Sequence, residues 1–387
     1  MKVGIDASTW TNRRGYGRFT RELVKAMVRS HPEHDFVLVV DAATAAQGEF
    51  PERATLEVVA TSEQQIQAAS ADGSRQIVDL WRMARAVARA RFDVFFFPTR
   101  YSFFPLICAT PTVIAFHDAT AERHPELIFP GFRSRLLWRI KTRLALRRAD
   151  RLVTVSQDAR RQLSDVFQYP AESITVISEG PDPIFRPRID DGEAANIRDR
   201  FMLPPDDPLI LYVGGISPHK NLQGLLHALE RVPGSWHLVL VGDYKNDSFW
   251  GCYSELVTLL GDIGLSGRVT FTGFVTDEEL LHFYNASTML VLPSMSEGFG
   301  LPVVEAMACG LPVAASARNS IPEVLGDAGL LFDPTSVEDI SGCITRLLED
   351  PQLRDQLRLL GLARAERYSW EQGARNMVEL LESIRDR

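Results

Sequence analysis

The stretch EGFGLPVVEAMACG at residues 297–310 decides the fold of the C-terminal half of this chain. It comes shortly after MLVLPS at residues 289–294, an apolar run that is typical of a buried strand. Its two glycines permit a sharp turn and a close approach of the backbone to a ligand. Pro302 suits the first turn of a helix, and Gly310 suits the C-terminal end of that helix. The pattern therefore predicts a strand, a glycine-rich turn and a helix over about Leu301–Cys309.

Two glutamates flank this turn and indicate what it binds. The N-terminus of a helix carries unpaired amide groups and a partial positive charge, which favour phosphate. Glu297 precedes the turn, and Glu305 lies one turn into the helix. Carboxylates beside an anion site are better used as acceptors for sugar hydroxyls, so the pattern predicts a site for a sugar, a diphosphate and a ribose. The alternative is that two surface glutamates happen to share this spacing.

The rest of the chain shows the same alternation of short apolar runs and longer amphipathic segments. In the N-terminal half, the predicted strands are Val3–Asp6, Phe36–Val40, Val94–Phe97, Thr112–Phe116, Leu152–Val155 and Ile174–Ile177. In the C-terminal half, they are Leu209–Val213, His237–Val241, Val269–Thr272, Met289–Leu292, Val313–Ala315 and Leu330–Phe332. Strands that alternate with helices predict parallel sheets covered by helices.

A proline-rich segment separates the two halves of the chain. We therefore expect a linker at 186–207 between an N-terminal domain at 1–185 and a C-terminal domain at 208–368. Residues 369–387 are expected to form a helix that packs back on the N-terminal domain. The predicted fold class is α/β, with two doubly wound parallel-sheet, Rossmann-like domains facing a cleft. Ligands of such sheets bind at the carboxyl ends of the strands.

Three further motifs lie where a predicted strand ends. The sequence YVGGISPHKNL at 212–222 places a glycine pair and Lys220 before a helix, which suits the charge of a diphosphate. The sequence TVIAFHD at 112–118 places His117 at the carboxyl end of a strand. The sequence RGYGRFT at 14–20 predicts a glycine loop, although a threonine stands where a dinucleotide signature has its third glycine. The alternatives are a solvated lysine, a structural histidine and a flexible loop.

The bulk composition excludes several classes of protein. The 387 residues are 45% hydrophobic and 24% charged, and the net charge of −8 argues against nucleic-acid binding. The four cysteines are far apart, so neither a zinc site nor a disulfide framework is predicted, and the cytoplasm is the expected location. The N-terminus does not resemble a signal peptide, and no stretch is apolar enough to span a membrane. No D-x-D motif occurs, so we expect no metal-bridged diphosphate.

One segment departs from the acidic average. Residues 131–151 contain eight basic residues and one acid. Arginines recur at every fourth position and share one helix face, beside an apolar stripe formed by Leu136, Leu137, Ile140 and Leu144. We interpret this segment as a core helix with a solvated outer face. Peripheral contact with the inner face of an anionic membrane is the alternative.

The spacing of Glu297 and Glu305 resembles the E-x7-E motif of the retaining glycosyltransferases of glycosyltransferase family four, in particular its mannosyltransferase-like members. The resemblance extends over nearly the whole chain, including the histidine–aspartate pair at 117–118 and FTGFVTDEEL at 271–280. It implies the GT-B fold and a nucleotide-sugar donor, with no cofactor. By this resemblance the first glutamate contacts the donor sugar and the second contacts the ribose.

The resemblance also implies the residues of the site. The expected catalytic residues are His117, Lys220 and Glu297. The expected donor-binding residues are Gly15, Gly17, Gly214, Gly215, Lys220, Gly273, Phe274, Val275, Glu297, Gly298, Phe299, Gly300, Leu301 and Glu305. The expected acceptor-binding residues are Tyr16, Arg18, Arg100 and Tyr101. The chain departs from the family pattern at one position, because Gly215 stands where this family usually has an arginine that binds the diphosphate.

The expected reaction moves a sugar to a hydroxyl of a glycan or a lipid-linked acceptor. Resemblance to members with the PHKN sequence suggests mannose from GDP-mannose, transferred with retention of configuration. No carboxylate is identifiable as a covalent nucleophile, so a front-face mechanism is the working hypothesis. A nucleotide-sugar epimerase or a phosphorylase on the same fold, and a non-catalytic nucleotide-sugar binder, are the alternatives.

Overall fold

A computed structural model describes residues 1–13, 15–62, 76–129, 131–188, 193–244 and 252–385. Arg14 of the predicted glycine loop, residues 189–192 of the predicted linker and the last two residues of the predicted C-terminal helix lie outside this described part. The chain divides into two compact units. The first comprises Met1–Glu179 together with Ser369–Arg387, and the second comprises Gly180–Tyr368.

The first unit is built on a parallel sheet. Within the described residues it has seven strands in the order β3-β2-β1-β4-β5-β6-β7. These strands are β1 (Lys2–Asp6), β2 (Asp35–Asp41), β3 (Thr55–Val59), β4 (Val94–Phe97), β5 (Thr112–Ala115), β6 (Arg151–Thr154) and β7 (Ile174–Val176). The inner strands are apolar runs because helices cover both faces of a parallel sheet. The sequence of β4, for example, is VFFF, and all four residues are buried.

The second unit repeats this architecture on a parallel sheet whose described strands number six, in the order β10-β9-β8-β11-β12-β13. They are β8 (Leu209–Val213), β9 (His237–Val241), β10 (Val269–Gly273), β11 (Met289–Leu292), β12 (Val313–Ser316) and β13 (Leu330–Phe332). The first strand of the unit, β8, lies between β9 and β11. The strand order reverses at β8, which is where ligands bind in doubly wound sheets.

Helices connect the strands of both units. The described α-helices are, in chain order, α1 (Gly15–Ser30), α2 (Ala42–Gln47), α3 (Ile77–Ala90), α4 (Thr120–Arg123), α5 (Pro125–Ile128), α6 (Phe132–Arg148), α7 (Gln157–Phe167), α8 (Glu193–Arg200), α9 (Leu222–Leu229), α10 (Tyr253–Asp262), α11 (Asp277–Ala286), α12 (Leu301–Ala308), α13 (Ile321–Leu325), α14 (Val337–Glu349), α15 (Pro351–Ala365) and α16 (Trp370–Arg385).

Helix α16 belongs to the first unit although it comes last in the sequence. Its inward side chains are buried, among them Trp370 and Leu381. The Trp370 ring lies edge-on to Phe19 of α1, with 6.0 Å between ring centroids. Arg29 at the end of α1 donates a hydrogen bond to Glu371. The chain therefore returns to complete the core of the unit in which it began.

The boundary between the compact units differs from the predicted domain boundary. The second unit begins at Gly180 rather than at 208, so the described part of the predicted linker belongs to that unit. Phe185 packs edge-on against Tyr284, with 5.5 Å between centroids. Arg198 of α8 donates hydrogen bonds to the carbonyl oxygens of Pro204 and Asp207. The segment is therefore not only an extended linker, because it contains α8 and its side chains pack on the second unit.

Two local predictions also differ from the structure. Helix α1 begins at Gly15, so residues 15–18 form its first turn rather than a loop. Strand β3 is missing from the sequence prediction because it lies at the edge of the sheet. It contains Glu57, and Val58 is 49% exposed, so it does not read as an apolar run.

Candidate active site

Two loops at the ends of neighbouring strands form the centre of the candidate site. The loop after β8 carries Lys220, and the loop after β11 carries Glu297. The Lys220 ammonium donates to Oε1 of Glu297 over 2.7 Å, and the Ser294 hydroxyl donates to the same oxygen over 2.7 Å. The lysine and the glutamate are 77 positions apart in the sequence. They meet because β8 and β11 are adjacent parallel strands, so the structure brings two predicted catalytic residues together.

Close backbone packing shapes the loop after β8. A Cβ at Gly242, in the loop after β9, would lie 1.9 Å from the carbonyl oxygen of Gly214, so only glycine fits there. The Tyr212 hydroxyl donates to the Gly215 carbonyl over 2.7 Å and closes the turn. Gly215 itself is exposed, and a Cβ at this position would meet no atom within 4 Å. The absence of the usual arginine therefore leaves open space beside the turn.

Asn221 fixes Lys220 relative to the neighbouring loop. Residues Pro218–Lys220 form one 3-10 turn, and Asn221 follows with a φ of 55°. Its side-chain amide donates to the carbonyl oxygens of Pro293 and Pro334 over 3.2 and 2.7 Å. Pro293 directly follows β11, so Asn221 ties the lysine loop to the glutamate loop. These bonds hold the two charged side chains in place within the second unit itself.

Helix α12 begins after the glycine turn as predicted. Gly300 is its N-cap with a φ of 93°, a left-handed conformation that favours glycine, and no side chain caps the helix. A Cβ at Gly300 would also lie 2.5 Å from Cδ1 of Ile321. The Ser320 hydroxyl donates to the carbonyl oxygens of Glu297 and Phe299 over 3.0 and 3.1 Å and braces the turn. An uncapped helix N-terminus can supply its amides to an anion.

Glu305 lies inside α12 and is only 3% exposed. The hydroxyl of Tyr284 on α11 donates to its Oε2 over 2.8 Å, which partly offsets the cost of burying a carboxylate. Burial, together with the charge of Glu305, raises the pKa of the neighbouring Cys309 thiol. Glu305 is therefore a buried, oriented carboxylate beside a thiol that stays neutral.

The other predicted donor-binding residues follow the same sheet edge or line the turn. Gly273 ends β10 with a φ of 74°, and its carbonyl accepts from the Gly242 amide over 3.1 Å. Phe274 is 48% exposed and available to a ligand, whereas Val275 is buried.

In the glycine turn, Gly298 and Leu301 are buried. The Phe299 ring packs edge-on against Tyr368 with 5.5 Å between centroids, so its side chain contributes packing.

His117 follows β5 in the first unit and is almost buried. Its Nε2 lies 2.9 Å from the carbonyl oxygen of Pro98, and because a carbonyl only accepts, Nε2 carries the proton of that bond. Its Nδ1 lies 3.8 Å from a carboxylate oxygen of Glu179, which comes just after β7. The Phe19 ring meets the imidazole edge-on at 4.6 Å. The structure thus holds His117 in one orientation.

Arg100 does not have the environment of an acceptor-binding residue. It is 3% exposed, and its guanidinium makes two hydrogen bonds of 3.0 Å to the carboxylate of Glu122. It also lies over the rings of Phe116 and Trp138, at 5.0 and 4.7 Å from their centroids. A buried, bidentate ion pair between aromatic rings is a structural element. Arg100 therefore has a structural role in this unit, and its predicted contact with the acceptor stays a prediction.

The other residues that were predicted to bind the acceptor or to form the glycine loop lie at or beside the first turn of α1. Tyr16 stacks on Tyr101 with 5.1 Å between ring centroids, and burial raises the pKa of the Tyr101 hydroxyl. Arg18 is half-buried on the same helix, and Gly15 is exposed at its start. A Cβ at Gly17 would lie 2.1 Å from the carbonyl oxygen of Asn12, so this glycine serves close packing. Both glycines thus lie in the first turn of a helix, and their predicted contact with the donor stays a prediction.

Three side chains in these arrangements are absent from the sequence prediction. Tyr284 contacts Glu305, Ser294 contacts Glu297, and Glu179 faces His117. Ser294 and Glu179 could have been found, because both come shortly after predicted strands, at the edge where ligands bind. Tyr284 lies within an amphipathic helix and carries no such signal. Within the described part of the chain, no group of three or more His, Cys, Asp and Glu side chains could hold a metal ion.

Two family models match the chain, one for each half. Residues 13–184 match the model described as Glycosyltransferase Family 4. Residues 193–359 match the model described as Glycosyl transferases group 1. Together these matches confirm the resemblance that the motifs indicated.

Individual relatives point the same way. The chain is 34% identical to O-antigen chain mannosyltransferase B of Escherichia coli over 265 residues, which is 67% of each protein. It is 31% identical to the serotype-specific mannosyltransferase WbdA of Escherichia coli over 240 residues, covering 60% of this chain and 28% of that one. The chain thus spans two thirds of the first relative and under a third of the second.

A solved structure of another protein shares the fold. Anabaena Alr3699/HepE in complex with UDP-glucose matches with a TM-score of 0.76 and 21% identity, over 99% of both chains. Similarity at this level of identity shows the fold alone. It confirms the predicted class of two parallel-sheet α/β domains of the GT-B type.

Proposed function

Because the chain belongs to glycosyltransferase family 4 and is a glycosyltransferase, we propose that it transfers mannose from GDP-mannose to a hydroxyl of a glycan or a lipid-linked acceptor. The mannosyltransferase names of its relatives support the choice of sugar. The UDP-glucose complex of Anabaena Alr3699/HepE supports a nucleotide-sugar donor in a protein of this fold. O-antigen is the product named for one relative, which favours a role in polysaccharide synthesis.

The contact between Lys220 and Glu297 carries this proposal. It places a cation and a hydroxyl acceptor side by side at the switch point of the second sheet, next to the uncapped start of α12. Both side chains are largely buried, at 18% and 13% exposure, so their charges are only partly screened by solvent. The lysine and the amides of the turn suit a diphosphate, and the glutamate suits sugar hydroxyls.

The proposed reaction is a front-face displacement with retention. The bond between C1 of the sugar and the β-phosphate oxygen breaks, and its electron pair stays on the diphosphate. The acceptor oxygen bonds to C1 on the same face, and its proton passes to an oxygen of the leaving phosphate. Lys220 and the α12 amides stabilise the charge that develops on the diphosphate. We place His117 near the reacting sugar, and Glu305 at the ribose hydroxyls.

In this proposal, Lys220 and the amides at the start of α12 are the groups that balance the charge on the diphosphate. We therefore expect no metal and no cofactor, and the assay that follows contains EDTA. Purified protein is incubated with GDP-mannose, UDP-glucose or UDP-N-acetylglucosamine and with glycan or lipid-linked acceptors, and released nucleotide and anomeric configuration are measured. We expect turnover with GDP-mannose and retention of the α configuration.

Lys220→Ala should lower turnover by about 10²–10³, which is typical for the loss of one charge-stabilising group. Lys25→Ala is the matched control, since Lys25 is an exposed lysine paired with Glu22 on α1. Wild-type turnover in Lys220→Ala would remove the lysine from the site. Conversion of the donor to an epimer without acceptor, or donor binding with no transfer to any acceptor, would instead establish the epimerase or the non-catalytic binder.

A further inference from the structure

Helix α6 of the first unit packs through a face that the sequence did not indicate. Its buried residues are Trp138, Thr142 and Ala145, spaced four and three apart as one helix face requires. The apolar stripe that was expected to face the core is exposed instead: Leu136 43%, Leu137 63%, Ile140 49% and Leu144 42%. Phe132 at the start of the helix is 77% exposed. A contiguous apolar surface of this kind on one helix marks an interaction site.

The same surface is strongly basic. Helix α6 contains no acidic residue, and five of its arginines are exposed: Arg133, Arg135, Arg139, Arg143 and Arg147. None of these five guanidinium groups forms an ion pair or a hydrogen bond within the described residues. The other two basic residues anchor the helix, because Lys141 donates to the Tyr101 carbonyl and Arg148 donates to the carbonyls of Cys108 and Thr110. The exposed face is therefore cationic, unpaired and apolar at once.

We propose that this exposed face of α6 docks the first unit on an anionic lipid bilayer. Arginines interleaved with leucines match the boundary between headgroup phosphates and acyl chains, which a helix lying in the interface contacts. A polyanion such as DNA would use the arginines but leave the leucines in water. A protein groove would use the leucines but not five unpaired charges of one sign. Charge complementarity and the apolar area together select the bilayer.

The charge of the whole chain determines which face of the protein meets the membrane. The net charge is −8, although α6 alone carries seven basic residues. The remaining surface is on balance acidic and is repelled by anionic lipid, so α6 faces the membrane. None of the described helices is long and apolar enough to cross a bilayer. The proposed contact is therefore one helix lying on the surface.

Hydrogen bonds and a ring contact connect α6 to the Tyr101 segment, which is predicted to bind the acceptor. The Trp138 indole donates to Glu122 over 2.7 Å, and Glu122 holds Arg100. The Tyr101 ring lies 5.0 Å from that of Trp138. Docking would thus bring the Tyr101 segment close to the membrane, where a lipid-linked acceptor would lie. This last consequence rests on the proposed function, but the docking itself does not.

Flotation of the full chain with lipid vesicles tests the proposal. Vesicles of phosphatidylcholine alone are compared with vesicles of phosphatidylcholine and phosphatidylglycerol, at low and high salt. We expect binding to the anionic vesicles only, weakened by salt. Arg133→Gln, Arg139→Gln and Arg143→Gln combined should lower the partition coefficient by about 10²-fold, since each arginine near an anionic surface contributes about 1 kcal/mol. Leu136→Ser, Ile140→Ser and Leu144→Ser combined should lower it at least tenfold.

The matched control removes three exposed arginines elsewhere, with Arg358→Gln, Arg367→Gln and Arg375→Gln combined, and should bind as the wild type does. Circular dichroism and thermal unfolding verify that each variant is folded.

The proposal fails if wild-type protein does not float with anionic vesicles, or if the arginine variant and its control bind equally. It fails also if the leucine variant binds vesicles normally, or if sedimentation shows that the leucines hold a dimer that dissociates in that variant. Transfer measured with a soluble acceptor is a separate readout, so loss of docking is distinguishable from loss of the proposed activity.

Discussion

At the scale of single residues, the Tyr284 hydroxyl orients Glu305 for its proposed contact with ribose. The bond of 2.8 Å to Oε2 is made between two side chains that are 1% and 3% exposed. A buried carboxylate without this donor would lose both orientation and part of its stabilisation. Tyr284 touches no reacting atom in the proposed mechanism, so it is a positioning residue.

We expect Tyr284→Phe to raise the KM for the donor by roughly 10–150-fold, corresponding to about 1.5–3 kcal/mol for one hydrogen bond to a charged group. The kcat should change little, because the ribose is bound in the ground state and the transition state alike. Steady-state kinetics and isothermal titration with GDP measure the two effects separately.

Tyr368→Phe is the matched control for this substitution. The Tyr368 hydroxyl lies 3.4 Å from the carbonyl oxygens of Glu323 and Val324 and also contacts the Arg364 side chain, in the same unit. It should leave the donor KM unchanged. An unchanged KM in Tyr284→Phe, or an equal rise in both variants, would show that the Tyr284 hydroxyl does not position Glu305 for the donor.

At the scale of elements, the turn before α12 depends on a glycine that no other residue replaces easily. Gly300 has a φ of 93°, and a Cβ at this position would lie 2.5 Å from the buried Ile321 side chain. Gly300→Ala should destabilise the second unit by about 2–4 kcal/mol, from left-handed backbone strain and overpacking together. Urea denaturation measures the loss in the free energy of unfolding. Hydrogen exchange, read out in peptides from residues 180–368, locates the loss in the second unit.

Gly215→Ala is the control for the turn. It also adds a methyl group to a glycine loop of the site, but nothing lies within 4 Å of the added Cβ. We expect its free energy of unfolding to stay within about 0.5 kcal/mol of the wild type. Equal stability of the two alanine variants would contradict the role given to the conformation of Gly300.

Helices α12 and α6 differ in how well their structure could be predicted from the sequence. The strand, turn and helix around Gly300 were predictable because glycine, proline and apolar runs act through local backbone preferences. The outward face of α6 was not, because an arginine–leucine pattern is the same whether the leucines meet a core or a membrane. The inward face is set by Trp138, whose partners Glu122 and Arg100 lie in other elements.

At the scale of the whole molecule, the first unit is completed by the last helix of the chain. Leu381 of α16 is fully buried within that unit. Leu381→Ala should lower the free energy of unfolding of the first unit by about 2–5 kcal/mol, from lost burial and the cavity left behind. Hydrogen exchange should show the loss in peptides from 1–179, although the substitution lies at the other end of the sequence.

Leu359→Ala removes the same atoms from α15 of the second unit, where the side chain is 61% exposed. It should change stability by no more than about 0.5 kcal/mol. If Leu381→Ala were equally harmless, or if its effect were confined to peptides from 180–368, the assignment of α16 to the first unit would be wrong.

The sequence by itself determined what depends on neighbours along the chain: the alternation of strands and helices, the glycine turn before α12, and the positions of Lys220 and Glu297 at strand ends. Only the tertiary structure decided which of these residues meet. Lys220 reaches Glu297 because β8 and β11 pair across the sheet, and Arg100 is buried as an ion pair because Glu122 lies beside it. Backbone preferences are local and can be read from sequence, whereas pairing and burial arise between segments that are distant along the chain.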